Sequence, residues 1–249
     1  MSSKKSPLVD LTHPLDETMS CYPGDPPFKI CCVRNVPSDG YTVHSLELGS
    51  HTGTHVDAPF HFFENGARLD KIPIDAFVGR AAVIDLRSFA APSARISWSD
   101  VQEALASQPS LLDRIGSRDD GKLDIVLLMT GWDAHWGSPT YYQHPYLAKD
   151  VAEEFCSRGV RLLGVDTLSP DETTVDDGAE EKPDAFVVHR VILGQGKLIC
   201  ENLTNLKGLA GSQQEEGDGD IWVSLMPISI HESDGAPARA YGWREWTSQ

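Results

Sequence analysis

The sequence predicts a single α/β domain built on a mixed β-sheet core. Three apolar runs of strand length alternate with two amphipathic helical patterns in the middle of the chain, and strand-like segments follow one another directly near both ends. A chain of 249 residues has ample length for one large domain with its own core, and no internal repeat divides it. We therefore expect one domain over residues 1–249.

Individual elements follow from alternating segments, apolar runs and capping residues. The predicted strands are Leu8–Leu11, Phe28–Val36, Tyr41–Gly49, Arg80–Leu86, Leu123–Met129, Val160–Val165, Phe186–Leu193, Leu198–Ile199 and Ile221–Pro227. The predicted helices extend from Ser97 or Ser99 to Ala106 and from Leu147 to Ser157, with a stop at Gly159. The second and third strands pair across the turn Pro37–Gly40. Residues 1–7 are expected to be disordered, and residues 210–220 to form an exposed loop.

Charge and cysteine usage exclude several classes of protein. The net charge of −16 argues against nucleic acid or an anionic membrane as a partner. No apolar run reaches the length of about 18 residues that a membrane span needs, and the polar N-terminus does not resemble a signal peptide. The five cysteines form no C-x-x-C pair, which favours free thiols in a reducing compartment. We expect a cytoplasmic protein whose partner is a small-molecule substrate.

The most informative stretch is SHTGTHVDAPFHFFE, residues 50–64. Three of the nine histidines lie within eleven residues here together with an aspartate, and these four are His51, His55, Asp57 and His61. All occupy odd positions, so an extended chain would place them on one face, while glycine, proline and β-branched neighbours argue against a helix. Converging imidazoles and a carboxylate suit a first-row transition metal, Zn²⁺ or Mn²⁺. The alternative is a polar loop whose histidines point in different directions.

This stretch also resembles the signature of the cyclase family of metal-dependent hydrolases, which includes bacterial kynurenine formamidases and isatin hydrolases. The signature H-x-G-T-H-x-D-x-P-x-H is matched at every specified position from His51 to His61. Further segments similar to the family are Asp10–Leu15, Tyr22–Asp25, Thr130–Trp132 with Trp136, Tyr142 with His144 and Pro145, Gly164–Thr167, His189, Glu201–Leu203, Pro227 and Asp234–Arg239. The resemblance implies the family's swivelling β/α/β fold and a homodimer or homotetramer.

The predicted metal site has two parts. We expect His51, His55 and Asp57 to hold one divalent cation, and the carboxylate of Asp57 can also bridge to a second. The resemblance implies that His189 and Glu201 complete the second position. From the residues alone, His189 lies on a predicted apolar strand. A histidine packed in the core is therefore an equally good interpretation of it. Either one or two ions of Zn²⁺ or Mn²⁺ fit this ligand set.

His61 is the predicted general base. Hydrolysis by metal-activated water needs a proton acceptor that titrates near neutral pH, which is the ordinary behaviour of histidine. The alternative is that His61 is a fourth ligand. Phe62, Trp132 and Trp136 are predicted to form an aromatic wall against a flat substrate, with ordinary core packing as the alternative. The acidic segment 171–181 either covers the site or forms a solvated surface.

These features predict a metal-dependent hydrolase of an amide bond. The resemblance implies an arylformamidase-like enzyme that acts on N-formylkynurenine or a related aryl or cyclic amide. A cyclase, a dehydratase or a lactonase of secondary metabolism would need the same metal ligands and is the alternative. A non-catalytic metal-binding protein would have no need of His61. Side-chain nucleophiles lack support, because the sequence has no G-x-S-x-G motif and no cysteine in a Cys–His context.

Overall fold

The computed structural model describes residues 3–116, 123–174, 185–210 and 219–247. Its strands are β1 Ser3–Lys5, β2 Val9–Asp10, β3 Lys29–Arg34, β4 Val43–Glu47, β5 His55–Asp57, β6 Val78–Asp85, β7 Arg95–Ile96, β8 Ile125–Met129, β9 Tyr146–Leu147, β10 Leu162–Val165, β11 Leu198–Glu201, β12 Asp220–Pro227 and β13 Gly235–Thr247. Its α-helices are α1 Val36–Asp39, α2 Trp98–Ala104, α3 Pro109–Arg114, α4 Lys149–Arg158, α5 Val187–Gly194 and α6 Leu206–Ala210. Short 3₁₀ turns connect several of them.

Seven strands close into a barrel-like ring. Their order is β13, β12, β6, β8, β10, β11 and β5, and β5 pairs again with β13. The four strands from β6 to β11 are parallel to one another, while β5, β12 and β13 are antiparallel to their neighbours. The short strands β1 and β2 pair with β13 outside the ring. This arrangement confirms the prediction of a single α/β domain with a mixed sheet.

The ring strands separate two hydrophobic cores by simple alternation. On β8, Val126 and Leu128 pack on the side of α2, α4 and α5, whereas Ile125 and Leu127 pack with residues from all the other ring strands. All four side chains are fully buried. A strand buried on both faces must be apolar throughout, which is why the parallel strands were visible in the sequence as continuous apolar runs.

Both predicted helices are confirmed. Ser97 caps α2 in a capping box with Asp100, whose carboxylate accepts the backbone N–H of Ser97 at 2.7 Å. Gly159 ends α4 with a left-handed φ of 87° and donates its N–H to the carbonyls of Phe155 and Cys156. The capping residues that predicted these helices also make the hydrogen bonds that stabilise the helix ends.

One strand prediction is wrong. The segment Phe186–Leu193 is not a strand, because Val187–Gly194 forms α5. β-Branched residues favour a strand locally, but the carboxylate of Asp171 accepts the backbone N–H groups of Val188 and His189 at 2.8 and 3.0 Å. These groups belong to the first turn of the helix and need an acceptor. That acceptor comes from another part of the chain, so no local pattern revealed it.

Predictions for the polar segments had mixed outcomes. The expected disorder of residues 1–7 is wrong in part, because Ser3–Lys5 pairs with β13 as an outer strand. Of the expected loop at 210–220, Ala210 ends α6 and Asp220 begins β12. Residues 211–218 lie outside the described part of the chain, as do residues 175–181 of the acidic segment.

A second, two-stranded sheet stands apart from the ring. Strands β3 and β4 form an antiparallel hairpin, as predicted, with the short helix α1 in the connection. Every residue from 29 to 47 is exposed. A third small sheet joins β7 to β9 in parallel.

The described residues agree with the expectations for cysteines and membrane spans. All five cysteines are free thiols, and Cys156 and Cys200 are buried in the apolar interior. Over the described ranges, the helices are too short or too polar to cross a lipid bilayer.

Candidate metal centre

The predicted metal ligands come together at one end of the ring. His55 and Asp57 lie on β5, and Glu201 on β11 is the register partner of His55. Directly opposed residues of paired strands project on the same face, so the sheet brings Glu201 beside His55. His189 reaches the same point from α5.

His51 and His61 reach the cluster by turns rather than along one strand. The prediction of a single extended stretch is therefore correct only for His55 and Asp57. Gly53, with φ of 64°, turns the chain between His51 and His55, while His61 ends a 3₁₀ turn that begins at Pro59.

Close packing at Gly235 positions the His51 ring. A Cβ atom at Gly235 would lie 2.8 Å from Cε1 of His51, so only glycine leaves room for the imidazole. Gly235 is the register partner of Asp57 on β13. The ring therefore sits against both the strand that carries Asp57 and the strand beside it.

Asp57 is the centre of the cluster. Its Oδ1 lies 2.7 Å from Nδ1 of His51 and 3.2 Å from Nε2 of His55. Its Oδ2 lies 3.6 Å from Nε2 of His189. The two oxygens of this fully buried carboxylate thus face different imidazoles. That is the arrangement in which one carboxylate serves two positions.

Glu201 closes the other side. Its Oε2 lies 3.3 Å from Nε2 of His55, and its Oε1 lies 3.2 Å from Nε2 of His189. The ligand atoms fall into two triads that share Asp57, in each of which all atoms lie within 4.8 Å of one another. One triad is His51, His55 and Asp57, and the other is Asp57, His189 and Glu201.

Three buried atoms in this cluster lie 3.2–3.6 Å from another ligand atom but form no well-aligned hydrogen bond among the described residues. They are Nε2 of His55, Oδ2 of Asp57 and Oε1 of Glu201. Poorly paired buried polar atoms cost free energy, so several of them facing one another are typical of a site that binds a cation. Imidazole nitrogens and carboxylate oxygens are the ligands of Zn²⁺ and Mn²⁺. The residues present therefore fit one or two divalent cations.

The charges of the cluster are strongly coupled. Burial disfavours the imidazolium form of His51, but the carboxylates of Asp57 and Asp234 outweigh this effect and raise its pKa to about 9. The same balance raises the pKa values of His55 and His189 well above the ordinary value. Burial would raise the pKa of Asp57, yet the neighbouring imidazoles hold it well below its usual range.

Hydrogen bonds behind the cluster orient the rings. Nδ1 of His55 donates to the carbonyl of Gly53 at 2.7 Å, which leaves Nε2 pointing at the carboxylates. The carbonyl of Gly53 also accepts from Nδ2 of Asn202 at 3.0 Å. Asn202 in turn accepts the hydroxyl of Tyr141 at 2.9 Å. The turn that carries the ligands is therefore tied to the buried interior.

His61 lies at the edge of the cluster. Its ring centroid is 3.9 Å from that of His51, and its Nδ1 is 3.3 Å from Oδ2 of Asp234. Asp234 also accepts from Nε2 of His51 at 2.9 Å, so one carboxylate orients both rings. The His61 side chain is 29 % exposed, whereas that of His55 is 2 % exposed. His61 thus stands between the buried ligands and the solvent.

An open pocket leads to these residues. Its wall contains the aromatic side chains of Tyr22, Phe62 and Phe186 together with the imidazoles of the cluster. Phe62 stacks at a tilt against His189, with ring centroids 5.0 Å apart. A flat substrate would therefore enter between aromatic rings and reach the metal ligands at the bottom.

Two of the three predicted substrate contacts belong elsewhere, and the prediction is corrected for Trp132 and Trp136. Neither is part of the described pocket wall. Nε1 of Trp132 donates to the carbonyl of Tyr141 at 3.2 Å within a small core cluster. Trp136 stacks on the ring of His13 with centroids 4.2 Å apart. Both indoles have partners in the fold, which was the alternative for them.

Comparison with known proteins places the chain in a family. The model of the cyclase family matches residues 9–172, which is more than half of the chain. This chain belongs to the cyclase family.

Two groups of cyclase-family relatives are informative. A kynurenine formamidase from Bacillus cytotoxicus is 28% identical over 242 residues, which cover 95% of this chain and 97% of the relative. The solved structure of isatin hydrolase A from Ralstonia solanacearum has a TM-score of 0.76 at 23% identity and covers 96% of this chain and 92% of its own. A structure described as a potential metal-dependent hydrolase with cyclase activity has a TM-score of 0.66 at 24% identity, covering 97% and 99%.

The family and these relatives establish the general class. The chain is an enzyme of the hydrolase type within the cyclase family. The similarity extends over nearly the full length of each relative, so the described residues share the fold of the family.

Two carboxylates at the cyclase-family site had no role in the sequence analysis. Asp171 appeared only as the start of an acidic segment, and Asp234 only within a segment similar to the family. Asp171 is buried and accepts Nδ1–H of His189 at 2.7 Å. Asp234 contacts His51 and His61. Acidity alone could not separate Asp171 from its exposed neighbour Glu172. Asp171 is distinguished by the burial of its side chain, and burial depends on the fold.

Asp171→Asn is expected to weaken metal binding without touching a ligand. The carboxylate holds Nδ1–H of His189 and thereby directs Nε2 at Asp57 and Glu201. Loss of such an outer partner typically costs about 10- to 100-fold in metal affinity. Chelator competition measures this change. Glu172→Gln, which removes a charge at an exposed neighbouring position, is the matched control. Equal affinities for both variants would contradict the assigned role.

Metal affinity is expected to rise with pH between 6.5 and about 9. A cation must displace the proton from His51, whose pKa is raised from 6.5 to about 9. Each proton released adds about a tenfold gain in affinity per pH unit. In the chelated protein the raised imidazole pKa gives stability that is complete below pH 6.5 and lost as pH rises through about 9. Titration calorimetry and thermal unfolding at three pH values measure both effects. A dissociation constant independent of pH would contradict the assignment.

Proposed function

We propose that this chain hydrolyses an amide C–N bond in the manner of an arylformamidase. The substrate is N-formylkynurenine or a related aryl or cyclic amide. The observation that carries the proposal is the set of three poorly paired buried ligand atoms at the base of an aromatic pocket, with His61 beside them. The names of the relatives, kynurenine formamidase and isatin hydrolase, support the substrate class.

The proposed metal ligands are His51, His55, Asp57, His189 and Glu201, which hold one or two ions of Zn²⁺ or Mn²⁺. Such an ion lowers the pKa of water and polarises a carbonyl group. All five residues lie in the two triads that share Asp57. Imidazoles coordinate as neutral rings, so Asp57 and Glu201 supply two negative charges, which balance one divalent ion fully or half the charge of two.

His61 is proposed to move protons during the reaction. Its position beside His51 and its partial exposure allow it to take a proton from water and return it to the leaving amine. Asp234 holds the ring through Nδ1 at 3.3 Å, which leaves Nε2 for the substrate side. The alternative role as a further ligand has geometric support as well, because His51, His61 and Asp234 form a third cluster of possible ligand atoms. Metal content of a His61 variant separates the two roles.

Phe62 is proposed to bind the aromatic part of the substrate. It lines the pocket and contacts the ring of His189, so a planar group that rests on Phe62 lies close to the ligands. Phe186 lies 5.4 Å from Phe62 between ring centroids and extends the same surface. An aromatic substrate would thereby present its amide to His61 in a fixed orientation.

The proposed location is the cytoplasm, where a protein with five free cysteines keeps its thiols reduced. The proposed partners are the small-molecule substrate and, as the resemblance implies, further copies of this chain in a homodimer or homotetramer. The chain's charge of −16 disfavours nucleic acid and anionic membranes.

Product analysis tests the proposed function. The metal-loaded protein is incubated separately with N-formylkynurenine, isatin and a simple lactone, and the products are identified by mass spectrometry. We expect hydrolysis of at least one of the two amides, one to two equivalents of bound metal, and loss of turnover after chelation. Opening of the lactone without turnover of either amide would favour the lactonase alternative. Full activity in a metal-free preparation would exclude the metal mechanism.

A further inference from the structure

One carboxylate in the pocket wall has no role in the proposed metal site. The wall of described residues contains two carboxylates, those of Asp25 and Glu201. Glu201 belongs to a ligand triad, whereas Asp25 belongs to none of the possible ligand clusters of the described residues. The side chain of Asp25 accepts no hydrogen bond from those residues either. Asp25 therefore offers an acceptor to a molecule that enters the pocket.

A tight turn fixes the position of this carboxylate. The backbone N–H of Asp25 donates to the carbonyl of Tyr22 at 3.0 Å, and Gly24 has a φ of 95°. With Pro23 in the second position, this is the pattern of a type II turn, which brings its first and last residues close together. Tyr22 and Asp25 therefore reach the pocket side by side.

Contacts on both sides of the turn hold it in place. The hydroxyl of Tyr142 accepts the N–H of Cys21 at 3.3 Å and donates to the carbonyl of the same residue at 3.1 Å. On the other side, a Cβ atom at Gly49 would lie 3.4 Å from Cδ of Pro26, so the proline ring packs against the segment that leads to the metal ligands. A group held in this way loses little freedom when it binds a ligand.

Aromatic rings continue the wall from the turn. The ring centroid of Phe186 lies 6.1 Å from that of Tyr22 and 5.4 Å from that of Phe62. Among the described residues, the wall contains no lysine or arginine, because Arg190 contacts the Phe62 ring from outside it. Aromatic faces attract cations, and a carboxylate accepts the hydrogen bonds of an ammonium group. The wall therefore suits a positively charged group better than a negative one.

The carboxylate also lies within electrostatic range of the metal ligands. Burial raises the pKa of the Asp25 carboxyl, and three imidazoles of the cluster oppose this rise. These imidazoles belong to His51, His55 and His61. A divalent cation at the same place repels an approaching ammonium group, and the negative charge of Asp25 offsets that repulsion.

We propose that Asp25 binds an ammonium group of the substrate and thereby determines specificity. The inference rests on the proposed amide hydrolysis and narrows the substrate to an aromatic amide that carries an ammonium group. N-formylkynurenine has such a group, whereas isatin has none. The aryl ring of the substrate rests on Phe62 while its ammonium group contacts Asp25.

Binding of two matched probes tests the role of Asp25 without turnover. At neutral pH, 2-phenylethylammonium and 2-phenylethanol share the same aromatic group, but only the first is charged. In titrations of the metal-loaded protein followed by NMR, we expect the wild type to bind the ammonium probe at least about 10-fold more tightly than the alcohol. Asp25→Asn is expected to bind both probes equally, because the amide keeps the shape of the side chain but loses its charge.

Glu64→Gln is the matched control. It removes one negative charge at an exposed position close to His61 in the chain but outside the described pocket wall. This variant is expected to keep the preference for the ammonium probe, and both variants are expected to bind as much metal as the wild type. A wild type that binds the two probes equally, or binds neither, would overturn the proposal. So would an Asp25 variant that keeps the full preference or that loses metal.

Kinetics with two matched amides provides a second measurement. Acetylation of the α-amino group of N-formylkynurenine removes the ammonium charge and leaves the formamide unchanged. Asp25→Asn is expected to raise KM for N-formylkynurenine by about 10-fold with little change in kcat, and to leave KM for the acetylated amide unaltered. Equal changes in KM for both amides would overturn the role of Asp25. A wild type that prefers the ammonium probe but hydrolyses neither amide would contradict the proposed function and support the role of Asp25.

Discussion

Asp57→Asn is expected to remove metal from both positions and to reduce turnover by at least about 10³-fold. Loss of a residue that only hydrogen-bonds to a metal ligand typically costs less, about 10- to 100-fold. Asp57 belongs to both ligand triads, and its oxygens lie within 3.6 Å of His51, His55 and His189. An amide keeps the shape of the side chain but loses its charge. The three imidazoles then lose the carboxylate that opposes burial in raising their pKa values.

Metal content by mass spectrometry and turnover of the preferred amide measure this effect. The matched control is Asp166→Asn, which neutralises another fully buried carboxylate. Asp166 accepts from Thr130 and Gly131 and lies outside the pocket wall of the described residues. If the Asp57 variant kept two equivalents of metal, the assignment of Asp57 to both metal positions would be wrong. If the Asp166 variant lost metal equally, a general loss of folding would explain both results.

His61→Ala is expected to retain metal and to lose about 10²- to 10⁴-fold in kcat, the usual contribution of a general acid–base group. The ligand triads on both sides of Asp57 are complete without His61. Removal of the ring leaves Asp234 paired with His51, so the ligand geometry is preserved. Added imidazole is expected to restore part of the rate.

His231→Ala is the control for His61→Ala, because His231 is an exposed histidine. Two outcomes contradict the assignment of His61 in different ways. Loss of metal from the variant would make His61 a ligand. Retained metal with near-normal kcat would remove it from the reaction.

The sequence predicted those parts of the site that are close together along the chain. His51, His55, Asp57 and His61 lie within eleven residues, and the turns that replace the expected single strand still bring them together. The remaining contacts join distant residues. Asp234 is 183 positions from His51 in the sequence, so no local pattern could pair them.

The same distinction explains the errors in the fold. Capping residues and apolar runs are local signals, and the helices α2 and α4 and the parallel strands followed from them. Helix α5 depends on Asp171, which lies 17 positions before Val188 and accepts its N–H. Trp132 and Trp136 lie near the end of β8, as a pocket wall would require, but side-chain direction placed them in the interior. Tertiary contacts, which no local sequence pattern shows, decided each of these cases.

Closure of the seven-stranded ring has a consequence for how the metal is exchanged. Strand β5 carries His55 and Asp57 and has a hydrogen-bonded strand on each side, β11 and β13. A strand that is hydrogen-bonded on both sides has no free edge from which it can separate. Its amide protons are therefore expected to be among the last to exchange with deuterium. That protection should be nearly the same with and without metal. A metal ion would then bind to a site that is already folded. The rate of metal binding would be set by dehydration of the ion and by access through the pocket entrance rather than by folding.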